Sequence, residues 1–376
     1  MTAIVGRDPV TGRTRTVSVH DGAITGITDG GEDDGSFLCP GLLDLQVNGF
    51  GGHDLNADPT PATVHALVRA VAASGVSRFA PTLVTAARPA LLAALRTIAE
   101  ARRTDPLTHH AIPFIHVEGP HLSPDDGPRG AHPKQHIRPP DLDEFDAWQA
   151  ACNGLVRLVT LSPHWPGAPA YIAGLRHRGT HTAIGHTMAP PEAIHAAVDA
   201  GARLSTHLGN GIAATLPRHP NPIWTQLADD RLHATFIADG HHLPPETLRA
   251  MARAKGLSRS ILVSDATALA GQPPGRYDAA IGGQVELDGN GRLGLVGTPY
   301  LAGAARPLLA CVATAMHDAG LTLPEALGCA STVPAALFGL PALAVGAPAH
   351  LLRFHRHACG TLCPVETIVA GHSISP

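Results

Sequence analysis

The middle of the chain repeats one pattern eight times: a short apolar run that closes on a polar residue or glycine, then an amphipathic stretch. The runs are GLLDLQVNG (41–49), VSRFAPTLV (76–84), IPFIHVEGP (112–120), LVRLVTLSP (155–163), HTAIGHT (181–187), RLSTHLGN (203–210), HATFIADGHH (233–242) and SILVSDATA (260–268). The stretches between them include PATVHALVRAVAASG, PPEAIHAAVDAG and PPETLRAMARAKG, with helical periodicity. Several open on proline, which suits a first helical turn, and close on glycine, which suits a C-cap. Eight β/α units in order predict a (β/α)8 barrel of the TIM type. A doubly wound sheet is the alternative, but it does not need eight units, and no G-x-G-x-x-G opens the first turn.

The two ends of the chain read differently. Residues 1–39 are short β-type runs and tight turns, and RTVSVHDGAITGIT alternates around Asp21-Gly22, a strong hairpin signal. The tail carries two further runs, VGAPAHLLRF and PVETIVAGHSI. Residues 1–39 and 346–376 are expected to form one small β-sandwich, and residues 40–345 the barrel. RYDAAIGGQVELDGNGRLGLVGT (276–298) reads as a β-hairpin inserted after the eighth run, with DGNG as its turn. ARPLLACVATAMHDAG and LPEALGCASTVPAALFG read as late helices.

A chain of 376 residues suits one large barrel with a small companion. At 44% hydrophobic and 15% charged it can bury a large core, which excludes disorder for its bulk. Net charge is -4 with no basic patch, so nucleic-acid binding has no electrostatic basis. The six cysteines are scattered and make no disulfide framework. The first residues lack the basic and apolar regions of a signal peptide, and no apolar stretch is long enough to span a membrane. The expectation is a soluble, cytoplasmic protein with reduced thiols that binds neither nucleic acid nor membrane.

Barrel enzymes carry their chemistry at the C-terminal ends of the strands, so the polar residues closing each run are the candidates. Run three closes on His116-Val117-Glu118-Gly119-Pro120, run five on Gly185-His186-Thr187 and run six on Thr206-His207-Leu208-Gly209-Asn210. Run seven closes on Asp239-Gly240-His241-His242 and run eight on Ser264-Asp265-Ala266. The chain holds 24 histidines, and any one of them at a rim is more often an ordinary polar residue than a ligand. As a set, Glu118, His186 and His207 end different strands of one barrel. A carboxylate with two imidazoles suits Zn, Fe, Mn or Co and leaves a position open for water. Asp265 is then placed to take a proton from such a water and hand it to a leaving group. Its plain structural alternative is a cap on the following helix.

Several blocks carry a resemblance over nearly the whole chain. They are PGLLDLQVNGFGGHDLN (40–56), PTLVT (81–85), HVEGPHLSP (116–124), GAHPKQHIRPP (130–140), AIGHT (183–187), THLGNGI (206–212), IADGHHL (237–243), VSDATALAG (263–271) and YLAGAARPL (300–308). Together they resemble the amidohydrolase superfamily, and within it the N-acetylglucosamine-6-phosphate deacetylase family. The resemblance implies one divalent metal ion, zinc or else Fe, Mn or Co, on Glu118, His186 and His207. It implies that Asp265 is the catalytic aspartate and that His132 orients or polarises the acetyl carbonyl. Ala131, Asn210, Gly211 and His242 match positions around the substrate, and Leu301, Ala302 and Gly303 match a loop that closes over it. Arg218, eleven residues after His207, matches an arginine that reaches a neighbouring subunit's phosphate, which implies a homodimer. A guanidinium suits that task because it meets phosphate oxygens bidentately. The implied reaction hydrolyses the acetamide of N-acetylglucosamine-6-phosphate to glucosamine-6-phosphate and acetate.

The first run decides the subtype. It carries Gln46-Val47-Asn48 where many amidohydrolases have His-x-His, and amides are poor transition-metal ligands. Relatives with a bridged metal pair also need a carboxylated lysine after strand four, but the only lysines are Lys134 and Lys255, outside the strand ends. One metal is therefore expected. The chain departs from the family pattern at Ser162-Pro163-His164, where a glutamate usually follows the proline. It departs again in LPRHPNPIW around Arg218 and in the longer GPHLSPDDGPRGAH before His132. These positions surround the substrate, so another N-acyl amino sugar is the alternative: N-acetylgalactosamine-6-phosphate or an intermediate of a specialised pathway. A non-catalytic sugar-phosphate binder is the alternative of another class, opposed by the complete set of Glu118, His186, His207 and Asp265. HRHACGTLC (355–363) has tempting zinc spacing but is expected to be a turn and strand of the small β-region. His109-His110 are expected at the surface, and His53, His121 and His164 near the mouth.

Overall fold

Each anticipated apolar run contains a strand in the computed structural model, which describes residues 2–57, 59–279, 283–298 and 300–376. Barrel strands one to eight are Leu42–Val47, Val76–Val84, Ile115–Glu118, Val156–Leu161, His181–Ile184, Leu204–Ser205, His233–Ile237 and Ser260–Val263. They form one eight-stranded sheet in chain order. Every neighbouring pair is parallel. Strand one meets the end of strand eight through a parallel bridge between Val47 and Ala266. The amides of Asn48 and Gly49 both donate to the Ala266 carbonyl, at 2.8 and 3.1 Å. The sheet therefore closes at its C-terminal rim, beside Asp265.

The helices between strands begin and end as their sequences direct. Thr60 caps Pro61–Ala73 in a capping box, with Thr63 returning the bond. Pro191–Ala200 and Pro245–Lys255 end on Gly201 and Gly256, at φ of 127° and 80°. Side chains rarely tolerate that region, so glycine stops both helices.

Buried apolar side chains alternate between two layers along the strands. Leu43, Leu45, Ala80, Leu158, Ala183, Ile237, Ile261 and Val263 form the inner set, plugged by Phe338, whose ring stacks on Phe114 at 4.3 Å. Phe79, Leu83, Val159, Leu161, Ile184, Phe236 and Leu262 belong to the outer set, shared with helix residues such as Val64, Leu67, Leu95 and Ile172. The pleat of each strand produces this switch every residue.

The two ends of the chain build a seven-stranded sheet. Its order is His372–Ile374, Leu362–Val369, Leu351–Arg356, Phe37–Pro40, Thr2–Arg7, Thr14–His20, Ala23–Asp29. Asp21 and Gly22 have φ of 48° and 77°, as a two-residue hairpin turn with matching twist requires. The edge strand Ala23–Asp29 bonds back across the sheet: Ile24 N donates to Ala347 O at 2.9 Å and Ala349 N to Gly22 O at 2.8 Å. The sheet thus folds over its own core of Ile4, Val17, Val19, Ile24, Leu38, Leu351 and Ile368 as a small β-sandwich.

The insertion after strand eight is more than a hairpin. Gly275–Ala279, Gly283–Leu287, Arg292–Leu295 and Leu301–Ala304 form a four-stranded antiparallel sheet. Asp288 shapes the expected turn by accepting from the amides of Asn290 and Arg292. Residues 280–282 of the anticipated insertion lie outside the described residues. Leu301–Gly303, expected as a loop, lie in the last strand. The reason is tertiary: Arg292–Leu295 pairs with that strand, and Ala304 bridges to Ala266 on its far side. Among the described residues no helix is long and apolar enough to cross a membrane.

Candidate active site

Three side chains from three strand ends meet at the barrel mouth. Glu118, His186 and His207 are all buried, and one ligand atom from each lies within 4.8 Å of the other two. His207 Nε2 stands 3.0 Å and His186 Nε2 3.3 Å from the same Glu118 oxygen, and the two nitrogens are 3.1 Å apart. His186 Nδ1 donates to the Pro128 carbonyl at 2.8 Å, which leaves its Nε2 lone pair for the shared point. Two nitrogens and a carboxylate oxygen converging this way are a donor set that fits a divalent metal ion. Among the described residues no other group of three such side chains forms a comparable cluster.

The backbone is strained where these groups project. His186, His207 and Asp265 have φ of 50°, 28° and 50°, in the left-handed region. Non-glycine residues enter it at a cost, and such strain concentrates at functional sites. Gly211, at φ of 59°, lies against the His186 ring: a Cβ there would stand 2.8 Å from Nδ1. The His207 amide donates to Thr235 Oγ1 at 2.6 Å, fixing the chain below the ring.

Strand one supplies the second layer. Gln46 Nε2 donates to Glu118 Oε1 at 3.0 Å, and Asn48 Nδ2 donates to Asp265 Oδ1 at 2.8 Å. The two amides that replace His-x-His therefore hold the two carboxylates. Sequence reasoning missed this role, although their shared face on one strand was its signal. Asp44, also unanticipated, accepts from the Gln46 and Ser264 amides beneath them. Burial raises Asp44 to about 7 despite these bonds.

The electrostatics follow from enclosure. Burial raises Asp265 to about 6, the negative Glu118 adds to the rise, and His207 and His242 oppose it. Burial would also raise Glu118, but hydrogen bonds from His186 and His207 outweigh it and hold the group well below the usual carboxylate range. His132 is lowered to about 3 by burial and by His186, so its ring is neutral. Its Nε2 lies 3.9 Å from Glu118 Oε2, and its Nδ1 3.0 Å from Thr85 Oγ1.

The other anticipated residues divide. Asn210 is half-buried, its amide nitrogen sealed without a partner, and its backbone N–H donates to the His207 carbonyl. Ala131 is exposed beside His132. His242 Nδ1 lies 2.7 Å from Asp239 Oδ2, and Asp239 also accepts from the His241 and His242 amides. Gly303 packs on the residue after next to Asp265: a Cβ there would stand 2.6 Å from Thr267 Cγ2. Arg218 is exposed, and its side chain makes no hydrogen bond or ion pair among the described residues, so one chain does not bring it to the cluster.

His164 and the family's missing glutamate resolve into a hydroxyl chain. His164 Nδ1 is 2.7 Å from Ser162 Oγ, which donates to Thr187 Oγ1 at 2.7 Å, next to His186. His121 turns away from the mouth, its ring 5.1 Å from Tyr171 and 5.8 Å from Trp148. His53 is half-buried in a short ladder of Gly49–Phe50 and His53–Asp54. His109 and His110 are exposed at the end of helix Pro106–Ala111. His355, Cys359 and Cys363 lie in or between two strands of the small sheet and form no metal-capable cluster. Lys255 is buried in the helix layer, where its Nζ donates to the carbonyls of Gln226 and Asp229 at 2.8 and 2.7 Å.

No family model matches the chain. N-acetylgalactosamine-6-phosphate deacetylase of Escherichia coli O157:H7 is 33% identical over 312 residues, spanning 82% of this chain and 80% of that one. N-acetylglucosamine-6-phosphate deacetylase of Bos taurus is 35% identical over 320 residues, spanning 81% and 75%. A mutant N-acetyl-D-glucosamine-6-phosphate deacetylase from Mycobacterium smegmatis, solved in complex with N-acetyl-D-glucosamine-6-phosphate, superposes with a TM-score of 0.88 at 28% identity over 100% of both chains. Barrel, sandwich and rim cluster, with these neighbours, define a hydrolase of the amidohydrolase superfamily that acts on amide bonds. More narrowly, the chain belongs to the N-acetylglucosamine-6-phosphate deacetylase family.

Proposed function

We propose that this chain removes the acetyl group from N-acetylglucosamine-6-phosphate, giving glucosamine-6-phosphate and acetate. The observation that carries the reading is the convergence of His186 Nε2 and His207 Nε2 on one Glu118 oxygen, with Asp265 held by Asn48 at the same mouth. Glu118, His186 and His207 would hold one divalent ion, zinc first among Fe, Mn and Co by donor type. Such an ion, when bound, lowers the pKa of water and polarises a carbonyl.

The chain's own residues do the rest. Asp265 takes the proton of the attacking water as its oxygen bonds to the acetyl carbon. Burial lifts Asp265 above an ordinary carboxylate, which suits a group that takes the proton and then returns it. It then gives the proton to the sugar nitrogen as the carbon–nitrogen bond breaks, so the amine leaves neutral. Thr85 occupies His132 Nδ1, which leaves Nε2 to donate to the acetyl oxygen as charge develops there. Asn210, Gly211 and His242, with Ala131 and Leu301–Gly303, would line the sugar. Arg218 would reach the phosphate of a neighbouring copy in a homodimer, in keeping with its exposure and lack of a partner among the described residues. The free thiols and the lack of a membrane-spanning helix among the described residues are in keeping with a cytoplasmic enzyme.

A second reading keeps the chemistry and changes the epimer, because one relative at 33% identity is named for N-acetylgalactosamine-6-phosphate. The deciding experiment measures acetate release from both phosphosugars, with metal analysis on the same sample. Turnover lost on chelation and restored by a divalent ion, faster on the gluco epimer, is the expected result. Faster turnover of the galacto epimer transfers the assignment to it, and acetate release that survives complete chelation removes the metal-dependent mechanism.

A further inference from the structure

At the end of the barrel opposite the mouth, a cavity of about 80 Å³ opens between the barrel floor and the sandwich. Gly41, Arg78, Ser331, Ala335, Leu340 and His350 are among the residues lining it. Arg78 is the third residue of barrel strand two, Val76–Val84, and is only 6% exposed. Its guanidinium makes no hydrogen bond and no ion pair among the described residues, and its Nε is sealed from solvent without a partner. His350 Nδ1 is sealed in the same way, which leaves Nε2 as the ring nitrogen able to reach the cavity. Burial lowers Arg78 to about 10, so it remains charged at neutral pH. Burial also lowers His350, to about 3, and the charges it feels are Arg78 and His110, both basic.

An uncompensated guanidinium away from water is unfavourable, and proteins pair such charges. Half-buried Arg138 and Arg15 follow that rule, bonding Glu144 and Asp8, and Arg102, Arg157, Arg203 and Arg306 bond backbone carbonyls. Arg78 faces a cavity instead of a carboxylate. We propose that this cavity binds a small oxyanion, with Arg78 as the charged donor and His350 as the second. A guanidinium presents parallel N–H groups that match carboxylate and phosphate oxygens. The volume is several times the roughly 10–15 Å³ that one water needs on the same measure, enough for such an ion. The site lies at the opposite end of the barrel from Glu118, His186 and His207, and so is separate from the proposed substrate site.

The anion also ties the molecule's two parts together. Arg78 belongs to the barrel and His350 to the strand entry of the sandwich, and the Gly41 amide donates to the His350 carbonyl at 2.9 Å across that seam. The seam is tight: a Cβ on Gly41 would stand 2.1 Å from Ser77 Oγ. A ligand bridging Arg78 and His350 stabilises the folded state in proportion to its concentration.

The test is thermal unfolding of the full chain in phosphate and, separately, in acetate, at ionic strength held constant with a bulky sulfonate. Wild type should gain a saturable rise in Tm of about 2 °C or more. Arg78→Met should lose that rise, while its Tm without added anion equals or exceeds that of wild type, because the unpaired charge is gone. A shift that survives in Arg78→Met places the anion elsewhere and overturns the proposal, as does a wild type with no saturable shift in either salt. If Arg78→Met does not fold, crystals of wild type soaked in selenate decide. An anomalous peak within hydrogen-bond distance of the Arg78 guanidinium sustains the site, and its absence overturns it.

Discussion

His186, His207 and Asp265 sit at positive φ at the tips of their strands, each at a cost of roughly 1–2 kcal/mol relative to ordinary backbone. Three such positions together are a sizeable share of the roughly 5–15 kcal/mol that keeps a domain folded. The strain persists because each side chain is tied: His186 to Pro128, the His207 amide to Thr235, and Asp265 to Asn48. Asp265→Asn preserves the acceptor oxygen for Asn48 but cannot take a proton. Its kcat should fall by about 10²–10⁴-fold, the usual worth of a positioned acid–base group, with metal content unchanged. Near-normal turnover in a metal-replete Asp265→Asn sample would falsify the assignment of the proton carrier.

Strand one holds both carboxylates of the site. One face of Leu42–Val47 and its extension carries Gln46 and Asn48 to two carboxylates that lie 72 and 217 positions further along the chain. The same segment closes the barrel through Val47 and Ala266. The last strand of the insertion, Leu301–Ala304, then bridges Ala266 from the far side, so Asp265 is clamped between two elements that share its neighbour. Gly303 is required at that clamp, with φ of 134° and Thr267 Cγ2 at 2.6 Å from any Cβ. Gly303→Val should push the strand off Thr267 and lower kcat/KM by about 10–100-fold, the cost of misplacing reacting groups by about an ångström. The bound metal, read by elemental analysis, should not change, and a loss of metal in step with activity would refute a purely positional effect.

The whole molecule should be acid-labile. His121 is fully buried, with Nδ1 on the Arg138 carbonyl and Nε2 sealed without an acceptor. Burial lowers it to about 4, against about 6.5 in an unfolded chain. Below about pH 6.5 the unfolded chain takes up a proton that the folded one refuses. The stability is thus complete above that pH and is lost as pH falls towards 4, by on the order of 3 kcal/mol for this residue. Urea unfolding between pH 7 and 4 should show the loss, and His121→Phe should show a shallower slope. Parallel slopes for the two proteins would remove His121 as the cause. At the level of assembly, Arg218→Ala should raise KM for the phosphosugar about 10-fold or more while hardly changing that for its unphosphorylated analogue. Equal changes for both substrates would argue against a phosphate contact.

Much of this was legible along the chain because it is local. Each barrel strand falls within its anticipated run, since an apolar run with a polar close is a property of neighbouring residues. Asp21-Gly22, Gly201 and Gly256 stop or turn the backbone through their own φ preferences. Glu118, His186, His207 and Asp265 could be picked out because a barrel puts its chemistry at strand ends, which is a rule of topology. Other features depended on residues far apart in sequence. Leu301–Gly303 became a strand because partners at 292–295 were available. Gln46 and Asn48 became donors because closure placed two carboxylates above them. Arg78 looks like any other residue of an apolar run, and only packing reveals that it has no acidic partner among the described residues. Local preference selects the elements, whereas the pairing of a buried charge or amide is set by whatever the closed barrel brings within about 3 Å of it.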